Sequence, residues 1–415
     1  GKYYLTASIR RDGSSKFGPD KKWGVFPSFS LAWRLSDESF FSPLKEYIND
    51  MKIRGGWGVI GNAGISNYQA LSTLSTAPYI FSSGPTVTAG YVNERISNSN
   101  LGWESTTDYG IGTDVELLDN RVALSVDYFY RLTEDMLFSM PLPRITGFSS
   151  YLVNIGSMRN RGFEYQLTTR NFTKAFKWTT SANLSYYRNR VLDTGADKRP
   201  LISTSSYTSE NKPLAGLYGY QFLGPYRDWE DVKTSPIKNP EQPLWLYRSC
   251  PGTAKLADIS GDGKIDAKDQ TILGSPNPDF IWSMTNNFGY KGFDLSVQVN
   301  GVQGGEKMMT QMEAVMARNN GTQNTVYEYF NNYWRPDRID AKYAAPSRKS
   351  WDGTSNRGTL VFDGTYINIQ NISLGYTLPG RITSRANVGK LRLYANIQNA
   401  FLITDYPGFN PEVNS

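Results

Sequence analysis

The sequence has no histidine, and this absence excludes several kinds of site. Among its 415 residues, Cys250 is the single cysteine. Without an imidazole, neither a Ser-His-Asp triad nor a histidine-ligated metal centre can form. A single cysteine can form neither an intrachain disulfide nor a zinc site made of several thiolates. No catalytic constellation remains at a recognisable spacing, so we expect a protein that is not an enzyme.

Charge of one sign is not concentrated anywhere along the chain, and long apolar runs are missing. The 44 Lys and Arg residues against 38 Asp and Glu leave a net charge of +6. Nucleic-acid binders carry a clustered basic stripe instead, so we expect no nucleic-acid partner. No apolar run approaches about 18 residues, which excludes a transmembrane helix. A transmembrane β-barrel stays possible, because its strands alternate apolar and polar residues.

Aromatic residues and glycine are abundant, and apolar residues recur with a period of two. The chain has 27 Tyr, 20 Phe, 10 Trp and 38 Gly. Alternation is typical of strands with one apolar and one polar face. It occurs in eleven segments, at 2–10, 24–35, 51–60, 105–118, 121–132, 161–169, 177–188, 280–290, 292–300, 366–378 and 391–398. Each is about as long as a tilted membrane strand, so we expect an all-β protein with about eleven crossings.

The connections between these segments alternate between short and long. Short turns are expected at Asp119-Asn120, at Lys291-Gly292 and within 170–176. The long connections cover 61–104, 133–160, 190–279 and 301–365. Outer-membrane barrels have short periplasmic turns and long extracellular loops, so this alternation predicts an antiparallel transmembrane β-barrel.

Two of the long connections have features of their own. Residues 190–279 are interpreted as one extracellular excursion, with a protruding strand at 218–225 that does not cross the membrane. In 301–365, methionines and a valine recur at helical spacing and predict a short helix in the loop; these are Met308, Met309, Met312, Val315 and Met316. A Met-rich docking surface is the alternative for that stretch.

Residues 258–269 have the spacing of a twelve-residue calcium loop. Oxygen-bearing side chains lie at positions 1, 3, 5, 9 and 12, which are Asp258, Ser260, Asp262, Asp266 and Asp269. Lys264 at position 7 would offer its backbone carbonyl, and Gly263 lies where such a loop turns sharply. Four carboxylates so close together repel one another unless a cation joins them. We therefore expect a structural Ca²⁺ site, against the alternative of an acidic surface turn.

Aromatic side chains in the long connections are the candidates for substrate contact. Trp229, Trp245, Tyr247 and Trp351 lie there and could stack on sugar rings. The same residue types also form aromatic belts at membrane interfaces and pack within loops.

Several stretches, spread over nearly the whole chain, resemble the SusC/RagA-like TonB-linked outer-membrane transporters of Bacteroidota. They are IRRDGSSKFG at 9–18, WGVFPS at 23–28 with LAWR at 31–34, NIGSM at 154–158 with RGFE at 161–164, the acidic loop 258–269 with GSPNP at 274–278, NISLGYTLP at 371–379, and LRLY at 391–394 with QN at 398–399.

The resemblance implies a fold and a function for the intact protein. It would place the chain at about strands 11 to 21 of a 22-stranded barrel, without the N-terminal plug, the TonB-contacting region or the last strand. It implies import of glycan fragments or peptides, driven through TonB, across the outer membrane of a Gram-negative bacterium, with a SusD-like lipoprotein over the extracellular loops. A soluble or surface-attached carbohydrate-binding β-protein is the alternative from another class.

Overall fold

A computed structural model describes residues 1–80, 87–195, 198–203, 205–237, 249–309, 324–346, 357–408 and 410–412. Most of the elements are strands, as expected from the alternation. In chain order they are β1 (Tyr3–Gly13), β2 (Trp23–Arg34), β3 (Ile48–Asn62), β4 (Leu74–Thr76), β5 (Tyr91–Asn93), β6 (Glu104–Leu117), β7 (Val122–Glu134), β8 (Leu137–Pro141), β9 (Ser150–Asn154), β10 (Ser157–Thr173), β11 (Phe176–Asp193), β12 (Leu201–Ile202), β13 (Ser206–Thr208), β14 (Gly216–Tyr220), β15 (Phe222–Pro225), β16 (Ala254–Leu256), β17 (Gln270–Gly274), β18 (Phe280–Tyr290), β19 (Phe293–Gln303), β20 (Glu306–Met308), β21 (Val361–Asp363), β22 (Tyr366–Thr377) and β23 (Arg392–Thr404).

Helices are few and short. The α-helices in the described part of the chain are Trp229–Thr234, Tyr327–Asn332 and Gly380–Thr383. The 3₁₀ turns there are Pro19–Lys21, Leu35–Asp37, Ser39–Leu44, Arg144–Thr146, Ala267–Asp269, Arg357–Leu360 and Ser384–Ala386. No helix among the described residues is long and apolar enough to cross a membrane.

Eleven long strands form one sheet in which they follow each other in chain order. The order is β1-β2-β3-β6-β7-β10-β11-β18-β19-β22-β23. Neighbours are antiparallel wherever the pairing is described, for example β6 with β7 and β10 with β11. The prediction of an all-β antiparallel fold with eleven long strands is confirmed, and each of the eleven segments coincides with one of these strands, extending at most one residue beyond it.

The short turns lie between the strands that the sequence indicated. Between β6 and β7, Leu118, Asp119 and Asn120 all have positive φ. Lys291 and Gly292 join β18 to β19 with φ of +48° and +89°, as a two-residue turn matched to strand twist requires. Between β10 and β11 the turn is only 174–175, because both strands extend further than 170–176 allowed. These three turns define the short-turn end of the sheet.

The opposite, long-connection end carries small sheets of its own. The strands there pair as β4–β5, β8–β9, β15–β16 and β20–β21, with a further sheet β12-β13-β14-β17. The prediction of one protruding strand at 218–225 was wrong in detail. The segment is divided at Gln221 into two strands with different partners: β14 pairs with β17, and β15 pairs with β16.

The predicted methionine helix does not begin where the spacing placed it. Met308 ends strand β20, which pairs with β21, and Met309 is buried among loop residues. Met312, Val315 and Met316 lie outside the described residues. A short helix does occur in 301–365, at Tyr327–Asn332, and its Tyr329 packs in the same buried cluster as Met308 and Met309.

The chain divides into two compact units. The first comprises Gly1–Leu201, Ser209–Lys212 and Met284–Asp294, and the second comprises Ile202–Thr208, Pro213–Ser283 and Leu295–Ser415. In the first unit, a buried cluster of Phe17, Ala70 and Leu101 lies in the connections. In the second unit, one cluster centres on Tyr329 and Tyr343, and another joins Tyr220, Leu256 and Ile265. The buried cores thus belong to the long connections, while the sheet has two accessible faces.

Candidate functional site

The sheet of the first unit has an apolar outward face and a polar inward face. Large apolar side chains remain exposed on the outward face, among them Leu5, Ile9, Ile111, Phe163, Tyr165 and Leu184. The inward face lines a cavity of about 980 Å³. Aromatic residues such as Tyr4, Phe26, Trp57 and Phe129 line part of it. The polar part of its wall carries Ser8, Arg10, Ser28, Ser30, Lys52, Arg54, Asp108, Asp127, Arg131 and Glu164. Such a surface suits a hydrated solute, whereas the outward face does not.

A network of ion pairs crosses three strands of the inward face. Arg54 on β3 donates to Asp114 on β6 at 3.3 Å and to Asp127 on β7 at 2.6 Å. Lys52, also on β3, adds a second cation: its Nζ lies 2.8 Å from Asp114 Oδ2. The hydroxyl of Ser125 joins the same network, because it donates to Asp114 at 2.7 Å and accepts from Arg54 at 3.1 Å.

Gly112 makes this network possible. In the sheet register it lies between Arg54 on one side and Asp127 on the other. A Cβ placed there would come within 2.1 Å of Asp127 Oδ1 and 3.1 Å of Arg54 Cζ. Glycine in a strand often marks such a close approach. At the neighbouring Gly110, by contrast, a Cβ would have no heavy atom within 4 Å.

Two further arginines of the cavity wall are paired as well. Arg10 lies 2.7 Å from Asp12, and Arg131 lies 3.0 Å from Asp108. The wall therefore presents dipolar pairs, with no block of one sign. Alternation in the sequence identifies the polar residues of this wall but does not predict their pairing, because the partners depend on the register between strands.

The acidic loop 258–269 is closed by its own residues. Gly261 and Gly263 have φ of +73° and +79°, a conformation that glycine adopts without strain. Ile265 is buried with Tyr220 and Leu256, which anchors the middle of the loop. The loop leads from β16 into a 3₁₀ turn, Ala267–Asp269, and then into β17.

The first and last carboxylates of the loop hold its backbone. Asp258 accepts from the N–H of Gly261 at 2.7 Å and of Gly263 at 2.8 Å. Asp269, fully buried, accepts from the N–H groups of Ile259, Ser260 and Asp266 at 2.7–3.1 Å. Burial by itself would raise the pKa of Asp269, but these hydrogen bonds outweigh it and lower the pKa.

The remaining oxygen-bearing side chains of the loop are exposed to solvent. Asp262 accepts from the N–H of Lys264 and lies 3.8 Å from Lys268 Nζ. Asp266 accepts from the N–H of Lys268 and caps the 3₁₀ turn, and Ser260 donates to Asp258 at 3.3 Å. Within the described ranges, no three His, Cys, Asp or Glu side chains come close enough together to hold a metal ion. The loop thus has the shape and the donors, but its carboxylates are spread apart.

Of the four candidate aromatic residues, Trp229 alone lies in the described part of the chain. It begins the helix Trp229–Thr234 and is 50% exposed. Asp228 caps this helix by accepting from Asp231 N–H at 2.8 Å. Lys255 on β16 forms an ion pair with the carboxylate of Asp231 at 2.7 Å. Trp245, Tyr247 and Trp351 fall outside the described residues.

Comparisons with known proteins give one consistent result. The family model described as TonB dependent receptor-like, beta-barrel matches residues 1–241. The chain is 33% identical over its whole length to TonB-dependent receptor P3 of Formosa agariphila, covering 41% of that protein. It is 28% identical over its whole length to TonB-dependent receptor SusC of Bacteroides thetaiotaomicron, covering 40% of it.

Solved structures agree on the fold. The chain superposes on one chain of the RagAB peptide transporter with a TM-score of 0.82 and 22% identity, covering 99% of this chain and 43% of that one. The chain spans about two fifths of the length of the relatives it matches. These relatives are receptors and transporters, not enzymes. The chain therefore belongs to the β-barrel family of TonB-dependent receptors.

Proposed function

We propose that the chain is the C-terminal barrel portion of a TonB-dependent importer in the outer membrane of a Gram-negative bacterium. The observation that carries this proposal is the division of the sheet into an exposed apolar face and a polar face with a cavity of about 980 Å³. An outer-membrane barrel needs both, one toward lipid and one toward the passing solute. Coupling to TonB is proposed because the family consists of TonB-dependent receptors.

The cargo is proposed to be glycan fragments or peptides, and the partner a SusD-like surface lipoprotein. Support comes from SusC among the relatives and from the likeness to the RagAB peptide transporter. The cavity wall fits a neutral or zwitterionic polar solute, because its charges are arranged in pairs of opposite sign such as Arg54–Asp127 and Arg131–Asp108. The lipoprotein would cover the long-connection end, where the small sheets lie.

The loop 258–269 is proposed to bind a structural Ca²⁺. Asp258, Ser260, Asp262, Asp266 and Asp269 would supply side-chain oxygens, and Lys264 its backbone carbonyl. Support comes from the two positive-φ glycines, from the buried anchor Ile265 and from the closure of the loop by Asp258 and Asp269. A cation would neutralise the exposed Asp262 and Asp266 and so stiffen the connection between β16 and β17.

Cell fractionation tests the main proposal. An antibody against this segment should detect, in the outer-membrane fraction, a parent protein of about twice the 46.7 kDa of this chain or more. That protein should change its mobility on heating in detergent, since barrels resist unfolding in detergent without heat. Uptake of a labelled oligosaccharide or peptide should stop when TonB is deleted. A detergent-independent soluble protein near 47 kDa would instead favour the carbohydrate-binding alternative.

A further inference from the structure

Strands β19, β22 and β23 have an apolar face and a polar face that is almost free of charge. The three strands are neighbours in the sheet. Leu374, Leu393 and Ile397 are exposed on the apolar face. Of all the residues in these strands, Asp294 and Arg392 alone are charged, and they lie near the start of β19 and of β23. The polar face therefore differs from the cavity wall of the first unit, which ion pairs cross.

Carboxamide side chains cover this polar face. Asn and Gln each offer two N–H donors and a carbonyl acceptor without carrying a charge. On this face they are Gln298, Asn300, Asn368, Gln370, Asn371, Asn396, Gln398 and Asn399. We call these residues the carboxamide wall. The whole wall belongs to the second compact unit.

A β-bulge brings two consecutive residues of β22 onto the carboxamide wall. The register between β22 and β23 shifts just before Asn371, which is opposite Gln398. Gln370 lies at the shift and accepts from Gln298 Nε2 at 2.9 Å. Successive side chains of a regular strand point to opposite faces, whereas a bulge re-aims one of them. Gln370 and Asn371 therefore both lie on the wall.

Side-chain contacts between β19 and β22 fix the register of the wall. Besides the bond from Gln298 to Gln370, Gln303 Nε2 donates to Thr365 Oγ1 at 3.4 Å. Between these two contacts the residue number rises from 298 to 303 on β19 and falls from 370 to 365 on β22. The two strands are thus antiparallel and keep one register along this length.

Three carbonyl oxygens of the wall lack a donor among the described residues. In the register of β19 and β22, Asn300 lies opposite Asn368. The Oδ1 atoms of Asn300, Asn368 and Asn371 are buried and accept no hydrogen bond within the part of the chain that the structure describes. Asn368 is 3% exposed, and its Nδ2 donates to Glu412 at 2.7 Å. An unpaired buried acceptor costs free energy, so the wall is short of donors.

Hydroxyl groups match this wall better than charged groups do. A hydroxyl both donates and accepts, so adjacent hydroxyls of a sugar ring can bond one carboxamide through its N–H and its carbonyl at once. Gln370, Asn396 and Gln398 are exposed and accessible to a solute, and Asn371 is half-buried. A charged solute would lose water here and gain no opposite charge from the wall in return.

We propose that the carboxamide wall binds the hydroxyl groups of an uncharged oligosaccharide. The inference rests on the proposed function as an importer, and it narrows the two proposed classes of cargo to glycan fragments. A peptide in its zwitterionic form brings two charged ends, for which the wall has no partner. An acidic glycan is disfavoured for the same reason.

Binding of defined probes to the full-length parent protein in nanodiscs tests the proposal. The probes are neutral hexasaccharides of glucose, galactose or mannose, the corresponding hexauronates, and uncapped hexapeptides of Gly, Ser and Ala. Isothermal titration measures the affinity of each probe. We expect a neutral hexasaccharide to bind at least about tenfold more tightly than any hexauronate or hexapeptide.

Variants of the exposed carboxamides connect this binding to the wall. Gln370→Ala combined with Gln398→Ala should lose about tenfold in affinity for the tightest neutral hexasaccharide, and Gln398→Ala by itself about threefold. The single variant is measured in case the double variant fails to fold. The matched control, Asn49→Ala combined with Asn171→Ala, removes two carboxamides that are not on the wall and should bind like the wild type.

Asn371→Leu separates cargo binding from a structural role. Leucine keeps the approximate shape but removes the unpaired oxygen, so the midpoint of heat unfolding should stay or rise. Affinity for the neutral hexasaccharide should nevertheless fall about threefold. A lower midpoint with unchanged affinity would instead make Asn371 a structural residue and count against the site.

Three results would overturn the inference. They are a hexapeptide or hexauronate as the tightest ligand, no binding by any neutral hexasaccharide, and an unchanged affinity in the double variant. The main proposal fails separately, if uptake of the tightest probe, whatever its class, continues undiminished without TonB.

Discussion

Arg54 and Asp127 form a salt bridge across a strand to which neither residue belongs. Arg54 is on β3 and Asp127 on β7, and their atoms Nη2 and Oδ2 are 2.6 Å apart. The intervening strand β6 has Gly112 at this position of the register. Three strands are thereby joined by a contact that ordinary cross-strand pairs cannot make, because those reach only the next strand.

Gly112→Ala should weaken this contact. The new Cβ would overlap Asp127 Oδ1, so the Arg54–Asp127 pair must separate or the strands must shift. We expect a loss of about 1–2 kcal/mol in the stability of the parent protein. The midpoint of heat-induced mobility change in detergent measures it. Gly110→Ala is the control, since its Cβ meets open space, and an equal shift in both variants would contradict the role of Gly112.

Substitution by arginine should distinguish the two faces of β19. Val297→Arg places a charge on the outward side, which the proposed membrane position turns toward lipid, and should cost about 2–4 kcal/mol near the middle of the membrane. Gln298→Arg faces inward, where Gln298 donates to Gln370 at 2.9 Å, and should be much milder. Urea unfolding of the parent protein in lipid vesicles measures both. Equal tolerance at the two positions would refute the assignment of the faces.

Calcium should protect the connection that contains the acidic loop. Limited proteolysis within 226–279 should slow when Ca²⁺ is added and accelerate again with a chelator, because the cation joins carboxylates that otherwise repel. Asp258→Asn combined with Asp262→Asn should abolish this response. Asp340→Asn, outside the loop, controls for loss of charge. Protection that is the same with and without metal would disprove the site.

Trp229→Ala should weaken cargo binding if this half-exposed ring stacks on the substrate. Loss of one aromatic contact is worth about threefold to tenfold in affinity. Isothermal titration of the parent protein with the proposed cargo, an oligosaccharide or a peptide, measures the change. Trp23→Ala removes an equally large exposed ring from the outward face and should leave affinity unchanged. An unaltered affinity in Trp229→Ala would remove this residue from the substrate site.

Alkaline pH should loosen the connection around Tyr226. Burial, followed by the nearby charge of Asp231, raises the pKa of Tyr226 to about 12. A raised folded-state pKa means that the stabilising contribution is complete below about pH 10 and is lost as pH rises through about 12. Hydrogen exchange of residues 249–257 between pH 9 and 12 measures this loss. Tyr226→Phe should show a smaller pH dependence, and an identical profile would exclude Tyr226 as the cause.

The eleven strands and their turns could be predicted because their causes are local. Alternation in 121–132 or 292–300 reflects one apolar and one polar face of a strand. The dipeptide Lys291-Gly292 favours a tight turn with positive φ without any contact to distant residues. The acidic loop was recognisable for the same reason, since its glycines and carboxylates lie within twelve positions. The division of 218–225 into two strands at Gln221 could not be predicted. β14 and β15 are adjacent in the sequence, and only their different partner strands distinguish them.

By itself, the sequence determined an all-β chain whose strands alternate apolar and polar residues, and it marked the family. Tertiary structure alone decided which side chains meet. The Arg54–Asp127 bridge joins positions 73 residues apart, and the Gln298–Gln370 bond joins positions 72 apart. Such contacts follow from strand register, and a shift by one residue would move every side chain to the other face.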